Sequence, residues 1–206
     1  SRGRWYFNVA VNYTAQPTEG VSAVGIDLGL KDIATTSDGE KLAAGRFYRD
    51  LESSLGKAQR ANKKRRVKAI HAKIKNRRKD ALHKFSTAIV NANAAIFVGD
   101  VSTSKLIKTK MAKSVLDAGW SMLKTQLEYK AIARSAVFQV VNESYSTQAC
   151  SCCGALSPNS PKGRAGLRIR VWTCSECGTL HDRDVNASKN ILAAGHRRLA
   201  VGIPAL

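Results

Sequence analysis

The first part of the chain alternates large apolar side chains with polar or small ones. Trp5, Phe7, Val9 and Val11 recur at every second position of the segment 4–14, and this period of two predicts a strand with one buried face. The run Gln-Pro-Thr-Glu-Gly that follows is typical of a break between elements. We therefore expect a strand at 4–14 that is the remnant of a preceding domain.

The next segments have strand character and surround a tight turn. The segment 22–30, Ser-Ala-Val-Gly-Ile-Asp-Leu-Gly-Leu, predicts a short strand that ends in Asp27. The segment 31–45 carries the turn sequence Ser-Asp-Gly at 37–39 between two short runs, which predicts a hairpin. We therefore expect three consecutive antiparallel strands.

Three regions of the remaining chain have helical patterns. We expect a helical region over 47–90 that is interrupted near Gly56, and an amphipathic helix over 114–135. A final helix is expected over 181–195, with Gly195 in the position that ends it.

Strands alternate with these helices. Apolar runs predict strands at 94–100 and 136–145, and a polar, basic loop is expected at 102–113. Trp120 falls on the apolar face of its helix and is interpreted as a core residue. The order β-β-β-α-β-α-β-insert-α predicts an α/β fold of the ribonuclease H-like kind, with a mixed sheet flanked by helices.

Charge is strongly one-sided in this chain. Lys and Arg number 34 and Asp and Glu number 15, which gives a net charge of +19 and a pI near 10.1. Between residues 57 and 84 there are 13 basic residues and a single acid, Asp80. A solvated helix face usually mixes both signs, so we interpret this segment as a surface for nucleic-acid phosphates. The candidates are Lys63, Lys64, Arg65, Arg66, Arg77 and Arg78.

Membrane and secretion signals are not apparent. No window holds the run of about 18 apolar residues that a membrane span requires, and the first residues contain no apolar signal core. We therefore expect a cytoplasmic protein, associated with the nucleoid when it binds DNA, and no membrane partner.

Four of the five cysteines form two Cys-x-x-Cys pairs, Cys150/Cys153 and Cys174/Cys177. Each pair ends in Gly, which supplies the positive φ of a zinc knuckle, and the spacing predicts one structural Zn²⁺ ion. Redox dithiols or disulfides are the alternative. Cys152 is expected to be a bystander. The histidines have no paired metal spacing and are expected at the surface: His71, His83, His181 and His196.

Two carboxylates have the placement expected of Mg²⁺ ligands. Asp27 stands in an apolar strand, where an acid is costly unless it meets a cation. Asp184 opens the last helix, and Ala187 and Ile191 on the same face are expected to pack on the sheet and aim it toward Asp27. A plain N-cap is the alternative for Asp184, although Asp182 suits that role better.

Five motifs in order resemble the RuvC-like nuclease of the TnpB (OrfB) family, transposon-encoded proteins related to type V CRISPR effectors. They are GIDLGL, the basic helices, IFVGDVSTSKL, the ribbon STQACSCCG…WTCSECG and HDRDVNASKNIL. The resemblance covers about residues 20–195. It implies an RNA-guided DNA endonuclease that uses two Mg²⁺ ions, with Asp27 and Asp184 as the first and third catalytic acids. Arg183 is a lesser candidate for the scissile phosphate.

This chain departs from the family pattern at the position of the second catalytic acid. The family has Glu at the end of this strand, where the chain has Gly99 followed by Asp100. Asp100 is expected to face the opposite side, because a shift of one residue along a strand reverses the side chain. Glu143 stands where many relatives have Pro, at the end of a strand that we expect to neighbour the first one. Three alternatives for the third acidic metal ligand stay open: Glu143, which is preferred, Asp100, or no third acid.

The resemblance also implies a domain organisation. Residues 1–20 correspond to a remnant of an N-terminal, wedge-like domain, 21–145 to the first part of the RuvC-like domain, 146–180 to the zinc ribbon, and 181–206 to the RuvC-like C-terminal helix and tail. The resemblance also implies that the N-terminal half that the family uses to hold guide RNA and select target DNA is not part of this sequence. We expect a second chain to supply it, or the chain to be an excised domain that keeps its chemistry without target choice.

Two other functions remain open. The loss of the usual second acid is compatible with a nuclease-inactive, RNA-guided DNA-binding protein or repressor. A zinc-ribbon adaptor that binds RNA is a third possibility. Retention of both Asp27 and Asp184 favours the nuclease.

Overall fold

The structure, a computed structural model, describes residues 5–200, apart from the side chains of Lys105 and Arg164. The C-terminal tail expected beyond residue 200 lies outside this range. One sheet has five strands in the order β3-β2-β1-β4-β5. β2 is antiparallel to β1 and β3, whereas β4 and β5 run parallel to β1. The strands are β1 (Ser22–Asp27), β2 (Asp32–Thr36), β3 (Lys41–Ala43), β4 (Asn93–Gly99) and β5 (Val137–Val141).

Seven helices and a second, two-stranded sheet complete the described part of the chain. The helices are α1 (Arg49–Arg60), α2 (Lys64–Ala92), α3 (Thr103–Leu106), α4 (Ala112–Ala118), α5 (Trp120–Ala133), α6 (Gly163–Gly166) and α7 (Arg183–Ala200). The small antiparallel sheet consists of β6 (Val171–Thr173) and β7 (Leu180–Asp182). The mixed sheet and its helices confirm an α/β fold.

The two faces of the five-stranded sheet carry different helices. Alternate residues of β4 point to opposite faces of the sheet. Ile96 and Val98 belong to the large apolar core that includes α2 and α5, whereas Phe97 packs with Ile191 of α7. Trp120 lies in the large core and is buried, as expected. The period of two along the strand therefore places α7 on the face opposite to α2 and α5.

Two glycines let α7 lie close against the sheet. A Cβ on Gly25 of β1 would overlap the Ser188 carbonyl of α7, and a Cβ on Gly195 would overlap the Phe97 ring. The expectation that Gly195 ends the last helix is therefore wrong. It lies inside α7, where the missing side chain serves close packing.

The strand expected at 4–14 is absent from the described residues. Residues 5–14 form no regular secondary structure, and the exposed fractions of Trp5 and Phe7 are 94% and 96%. Alternation produces a buried face only where a neighbouring strand and an apolar layer cover it, and no described strand pairs with this segment. Further along, the backbone NH groups of Gln16 and Thr18 donate to carbonyls at the end of α5.

Two helix boundaries also differ from the pattern. The break in the basic region lies at 61–63, where Asn62 has φ of 50°, and Gly56 is inside α1. The expected helix over 114–135 is split at Gly119, whose φ is 71°. The loop expected at 102–113 contains the short α3. In the part of the chain described by the structure, no helix is both long enough and apolar enough to cross a membrane.

Candidate metal centres and nucleic-acid surface

Three carboxylates come together at the carboxyl ends of the parallel strands. Asp27 is the last residue of β1, Glu143 follows β5 by two residues, and Asp184 lies in the first turn of α7. All three line one cavity of about 470 Å³. This edge of an α/β sheet is where ligands usually bind.

Asp182 and the buried face of α7 explain the position of Asp184. The Asp182 carboxylate accepts hydrogen bonds from the backbone NH groups of Asp184 (2.9 Å) and Val185 (3.0 Å), so Asp182 is the N-cap, as expected. Ala187 and Ile191 are fully buried against the sheet. Asp184 shares their face and is therefore carried to the cavity above β1.

Glu143 occupies the space that Gly99 leaves free. In the parallel register Gly99 pairs with Val141, which places the end of β5 beside it. A Cβ on Gly99 would overlap a carboxylate oxygen of Glu143 and lie 3.3 Å from its Cβ. The proximity expected from the sequence is thus present, whereas a role for Glu143 as a metal ligand stays a prediction.

Asp100 is oriented differently. It is exposed, it does not line the cavity, and its carboxylate accepts a hydrogen bond from the Glu143 backbone NH (3.3 Å). This agrees with alternation along a strand, which turns the residue after Gly99 away from α7.

Burial and neighbouring charges shift the pKa of two of these acids, Asp27 and Glu143. Burial, together with the nearby Asp184 and Glu143 carboxylates, raises the pKa of Asp27 to about 7, although Arg183 acts in the opposite direction. Burial and the Asp100 carboxylate raise the pKa of Glu143, and Lys124 partly offsets this. A divalent cation would relieve this accumulation of negative charge, so the donor set fits Mg²⁺.

Two arginines bind the Asp184 carboxylate. Arg183 lies 2.7 Å from one oxygen, and Arg170 donates to the other at 3.1 Å. Both arginines line the cavity. The structure therefore pairs Arg183 with its neighbour Asp184, and a bound cation would compete with the two guanidinium groups for these oxygens.

Sequence reasoning missed Arg170 and Lys124. Arg170 directly precedes β6, and no spacing rule links it to an acid 14 positions later. Lys124 is half-buried on α5, and the Glu143 and Asp100 carboxylates act on its pKa, which burial lowers. Only the fold brings either residue to the acids.

The four paired cysteines form one cluster. Their Sγ atoms all lie within 4.8 Å of one another, and the pairs Cys150–Cys177 and Cys153–Cys174 are separated by 3.6 and 3.8 Å. A tetrahedral Zn²⁺ with bonds of about 2.3 Å requires sulfurs about 3.8 Å apart, so the geometry fits zinc. All five cysteines are free in the structure, and Cys152 is exposed and outside the cluster.

His181 is not a surface residue, contrary to expectation. Its exposed fraction is 6%, its ring packs on Trp172, and its Nε2 lies 3.0 Å from the Cys150 Sγ. The spacing of His181 from the cysteines gave no sign of this contact, because the β6–β7 hairpin folds it back onto the first knuckle.

Most of the predicted phosphate contacts are exposed. Lys63 and Lys64 stand at the start of α2, and the residues of this set with exposed side chains are Lys63, Lys64, Arg65, Arg66 and Arg77. Arg78 differs from them. Its guanidinium lies 2.9 Å from the buried Asp117 carboxylate, which also accepts a hydrogen bond from the Tyr48 NH. Its charge is engaged in an ion pair inside the fold, which disfavours a contact between Arg78 and phosphate.

Solved structures share this fold. The chain aligns with a protein titled "Cryo-EM structure of the Cas12f1-sgRNA-target DNA complex" over 82% of its own length and 49% of the other chain, with a TM-score of 0.60 and 16% identity. A second structure, titled as a CRISPR-Cas12f ternary complex, gives a TM-score of 0.61 over 90% of this chain and 41% of that one.

Sequence comparisons identify relatives along nearly the whole chain. A putative RNA-guided DNA endonuclease of Streptomyces pristinaespiralis is 38% identical over 97% of this chain and 52% of its own length. The putative RNA-guided DNA endonuclease InsQ of Escherichia coli is 30% identical over 98% of this chain and 56% of its length. The chain thus spans about half the length of these curated relatives.

Two family models match consecutive parts of the sequence. Residues 6–110 match the probable transposase family OrfB of IS605, and residues 120–191 match the Cas12f1-like TNB domain. The first match alone covers half of the chain, and the relatives include several proteins named TnpB-like. The chain therefore belongs to the OrfB, or TnpB-like, family of transposon-associated RNA-guided DNA endonucleases.

Proposed function

We propose that this chain is the metal-dependent nuclease portion of an RNA-guided DNA endonuclease, with a RuvC-like site on a ribonuclease H-like fold. The observation that carries the proposal is the meeting of the Asp27, Glu143 and Asp184 carboxylates around one cavity, where the pKa of Asp27 rises to about 7. The strand order β3-β2-β1-β4-β5, with β2 alone antiparallel among the central strands, supports the fold assignment.

The three acids would hold two Mg²⁺ ions. When bound, these ions would supply an activated water molecule and charge stabilisation at the leaving oxygen. Asp27 would contribute from a rigid strand end, and Glu143 would contribute from the gap beside Gly99. Asp184 would turn its carboxylate from the guanidinium groups toward the ions. Arg170 and Arg183, released from that ion pair, would then be available to the scissile phosphate.

The cysteine cluster would hold one structural Zn²⁺ ion. Its ligands would be Cys150, Cys153, Cys174 and Cys177, whose sulfur separations support tetrahedral coordination. Hydrogen bonding with Thr179 lowers the pKa of Cys177 to about 6, whereas burial raises the pKa of Cys150, so the thiols differ in how readily they give the thiolate form that binds metal. The four-cysteine set has no position for a substrate, so its role would be to order the ribbon.

The partners of this portion would be guide RNA and target DNA. The net charge of +19 and the exposed basic residues of α2 support a polyanionic ligand. The names of the relatives and the titles of the similar structures point the same way. Whatever selects the target would act together with the residues that the longer relatives carry in addition.

A nuclease-inactive, RNA-guided DNA-binding protein is the second candidate. Gly99 at the position of the usual second acid favours it, and so do the two arginines that neutralise Asp184. The two candidates share their partners and differ in hydrolysis.

A cleavage assay separates the candidates. The chain is incubated with single-stranded and plasmid DNA, with and without Mg²⁺, beside Asp27→Ala as the inactive control. We expect Mg²⁺-dependent cuts that Asp27→Ala abolishes. Binding without cuts in either protein would favour the second candidate. Sequencing of RNA that co-purifies with the chain tests guidance: a defined RNA species is expected, and random cellular RNA would contradict it.

A further inference from the structure

Two asparagines of α7 hold the segment that joins Glu143 to the zinc cluster. The Asn186 side chain donates to the carbonyl oxygens of Ser146 (3.1 Å) and Ala149 (2.8 Å), and Asn190 donates to the same two oxygens at 2.8 and 2.7 Å. The Asn186 amide oxygen also accepts from the Ser151 NH at 2.8 Å. We call Asn186 and Asn190 the asparagine clamp.

The clamp lies between the two candidate metal sites. Ser146 donates its backbone NH to the Glu143 carbonyl (3.0 Å), which closes a turn directly after the candidate ligand. Ala149 and Ser151 flank Cys150, the first cysteine of the cluster. Asn186 is two residues beyond Asp184 on the same helix. A single set of hydrogen bonds therefore ties Glu143, Asp184 and the first zinc knuckle to one rigid element.

The chemistry of the clamp requires a carboxamide at these positions. Each carboxamide NH₂ group has two hydrogens, so each donates to both carbonyls, and each carbonyl accepts two bonds. Asn186 is 1% exposed, and the partner carbonyls belong to an irregular segment rather than a sheet ladder. Buried groups of this kind need partners, and a fully satisfied network restricts the backbone to one arrangement.

We propose that Asn186 and Asn190 are positioning residues that set the separation of the Glu143 and Asp184 carboxylates, and hence the affinity of the site for Mg²⁺. This inference rests on the proposed function. Mg²⁺ demands near-ideal octahedral geometry and tolerates ligand displacement poorly. Groups that orient metal ligands commonly change metal affinity by about 10–100-fold when they are removed. The clamp also makes the zinc ribbon part of the support for Glu143.

The test measures Mg²⁺ binding by calorimetry and the Mg²⁺ concentration that half-saturates cleavage, in the 206-residue chain. Asn190→Ala removes two clamp bonds, and Asn190→Gln retains the donor group. Lys189→Ala is the matched control, because Lys189 is exposed on the same helix. Asn186→Ala is a further variant, and its failure to fold would leave the Asn190 pair as the test.

We expect Asn190→Ala to keep its zinc and its helical content, to bind Mg²⁺ at least about tenfold more weakly, and to recover part of its rate at high Mg²⁺. Asn190→Gln is expected to recover part of the affinity, and Lys189→Ala to match the wild type. If Asn190→Ala keeps its Mg²⁺ affinity and only its melting temperature falls, the proposed positioning role of the asparagine clamp is wrong. Wild-type Mg²⁺ binding that does not depend on Asp27 would instead overturn the proposed function and the clamp with it.

Discussion

At the scale of single residues, Gly99 and Glu143 form a complementary pair. The carboxylate of Glu143 fills the position where a side chain on Gly99 would begin, so the structure has room for one acid there and not for two. We therefore expect the acid that follows β5 to take the place of an acid at the end of β4. The neighbouring Asp100 is close in sequence and yet exposed, because strand geometry directs it away.

Glu143→Gln tests this substitution directly. We expect it to abolish cleavage as fully as Asp27→Ala while binding of nucleic acid is retained, because a neutral amide is a poor Mg²⁺ ligand. Asp100→Asn is the control and should cost little. The double variant Gly99→Glu with Glu143→Pro should cleave DNA, because it again carries one acid in this space. Gly99→Glu alone would crowd two acids into the same space. Full activity of Glu143→Gln, measured as the initial rate on single-stranded DNA, would refute the assignment.

The raised pKa of Asp27 has a consequence for stability. The folded protein holds a proton on Asp27 up to about pH 7, whereas the unfolded chain releases it near the ordinary Asp pKa of 3.8. The folded state therefore binds more protons between these values, and stability falls as the pH rises through this window. Above pH 7 the full cost of the ionised carboxylate is present.

Asp27→Asn should remove this cost. In magnesium-free buffer, we expect its advantage in free energy of unfolding over the wild type to grow by about 2–3 kcal/mol between pH 5 and pH 8. Urea denaturation of both proteins at each pH gives the difference. Added Mg²⁺ should shrink the gap at pH 8. A gap that stays constant with pH would mean that Asp27 ionises normally in the folded protein.

At the scale of elements, the ribbon and α2 have separable roles. The ribbon connects to the candidate active site through β7, which leads directly into α7, and through Arg170, which reaches Asp184. The exposed start of α2 presents basic side chains whose charges are not compensated by nearby acids in sequence. Loss of the zinc ribbon should therefore affect folding, whereas loss of the basic side chains of α2 should affect the binding of nucleic acid.

Cys174→Ser should release the metal and unfold the ribbon, because zinc binding and folding are coupled. Cys152→Ser is the matched control, since Cys152 is an exposed cysteine of the same knuckle region outside the cluster. Zinc content by atomic absorption is expected to fall from about one ion per chain to near zero only in Cys174→Ser. Retention of the metal in that variant would show that the cluster is not the zinc site.

Neutralising Lys63, Lys64, Arg65 and Arg66 to Ala should weaken binding to many sequences alike. Each lost phosphate contact lowers the magnitude of the slope of log affinity against log salt by about 0.7–0.9, so four lost contacts should lower it by up to about 3.6. Arg78→Ala is the contrasting variant, because it leaves the buried Asp117 carboxylate without its ion-pair partner. It should cost about 3–5 kcal/mol of stability and change the salt dependence of binding little. A loss confined to one nucleic-acid sequence would indicate base recognition instead.

At the scale of the whole molecule, the site depends on how closely α7 approaches the sheet. Asp184 is carried by α7 and Asp27 by β1, and the gap between these elements is set by Gly25 and Gly195. Both glycines contact the opposing element so tightly that a methyl group has no room. Stability and the geometry of the acids are therefore linked.

Gly195→Ala should separate α7 from the sheet. Overpacking against Phe97 is expected to cost about 1–3 kcal/mol, even though Ala favours a helix, and Mg²⁺ binding should weaken as Asp184 moves. Gly56→Ala is the matched control inside α1, where the nearest atom to the new Cβ is a terminal Arg60 nitrogen at 3.4 Å. It should raise stability by about 0.5–1 kcal/mol. Calorimetric melting of both variants decides the matter; equal stabilisation would refute the packing argument.

The sequence by itself determined the features that depend on residues close in the chain. Short apolar runs predicted the three antiparallel strands and the two parallel ones, and the Cys-x-x-Cys spacing predicted the cluster of four thiols. Asp182 was identified as a helix cap from its position just before the periodic apolar residues. In each case the governing interactions span a few residues, so composition and spacing carry the information.

The tertiary structure alone decided which distant groups meet. Arg170 reaches Asp184, His181 reaches Cys150 and the asparagine clamp reaches Ser146 only because separate elements fold onto one another. The alternating segment at 5–14 shows the converse: it has a strand pattern and forms no strand, because none of the described strands pairs with it. Side-chain partners, close approach at glycine and strand pairing are set by distances in space, which local patterns do not encode.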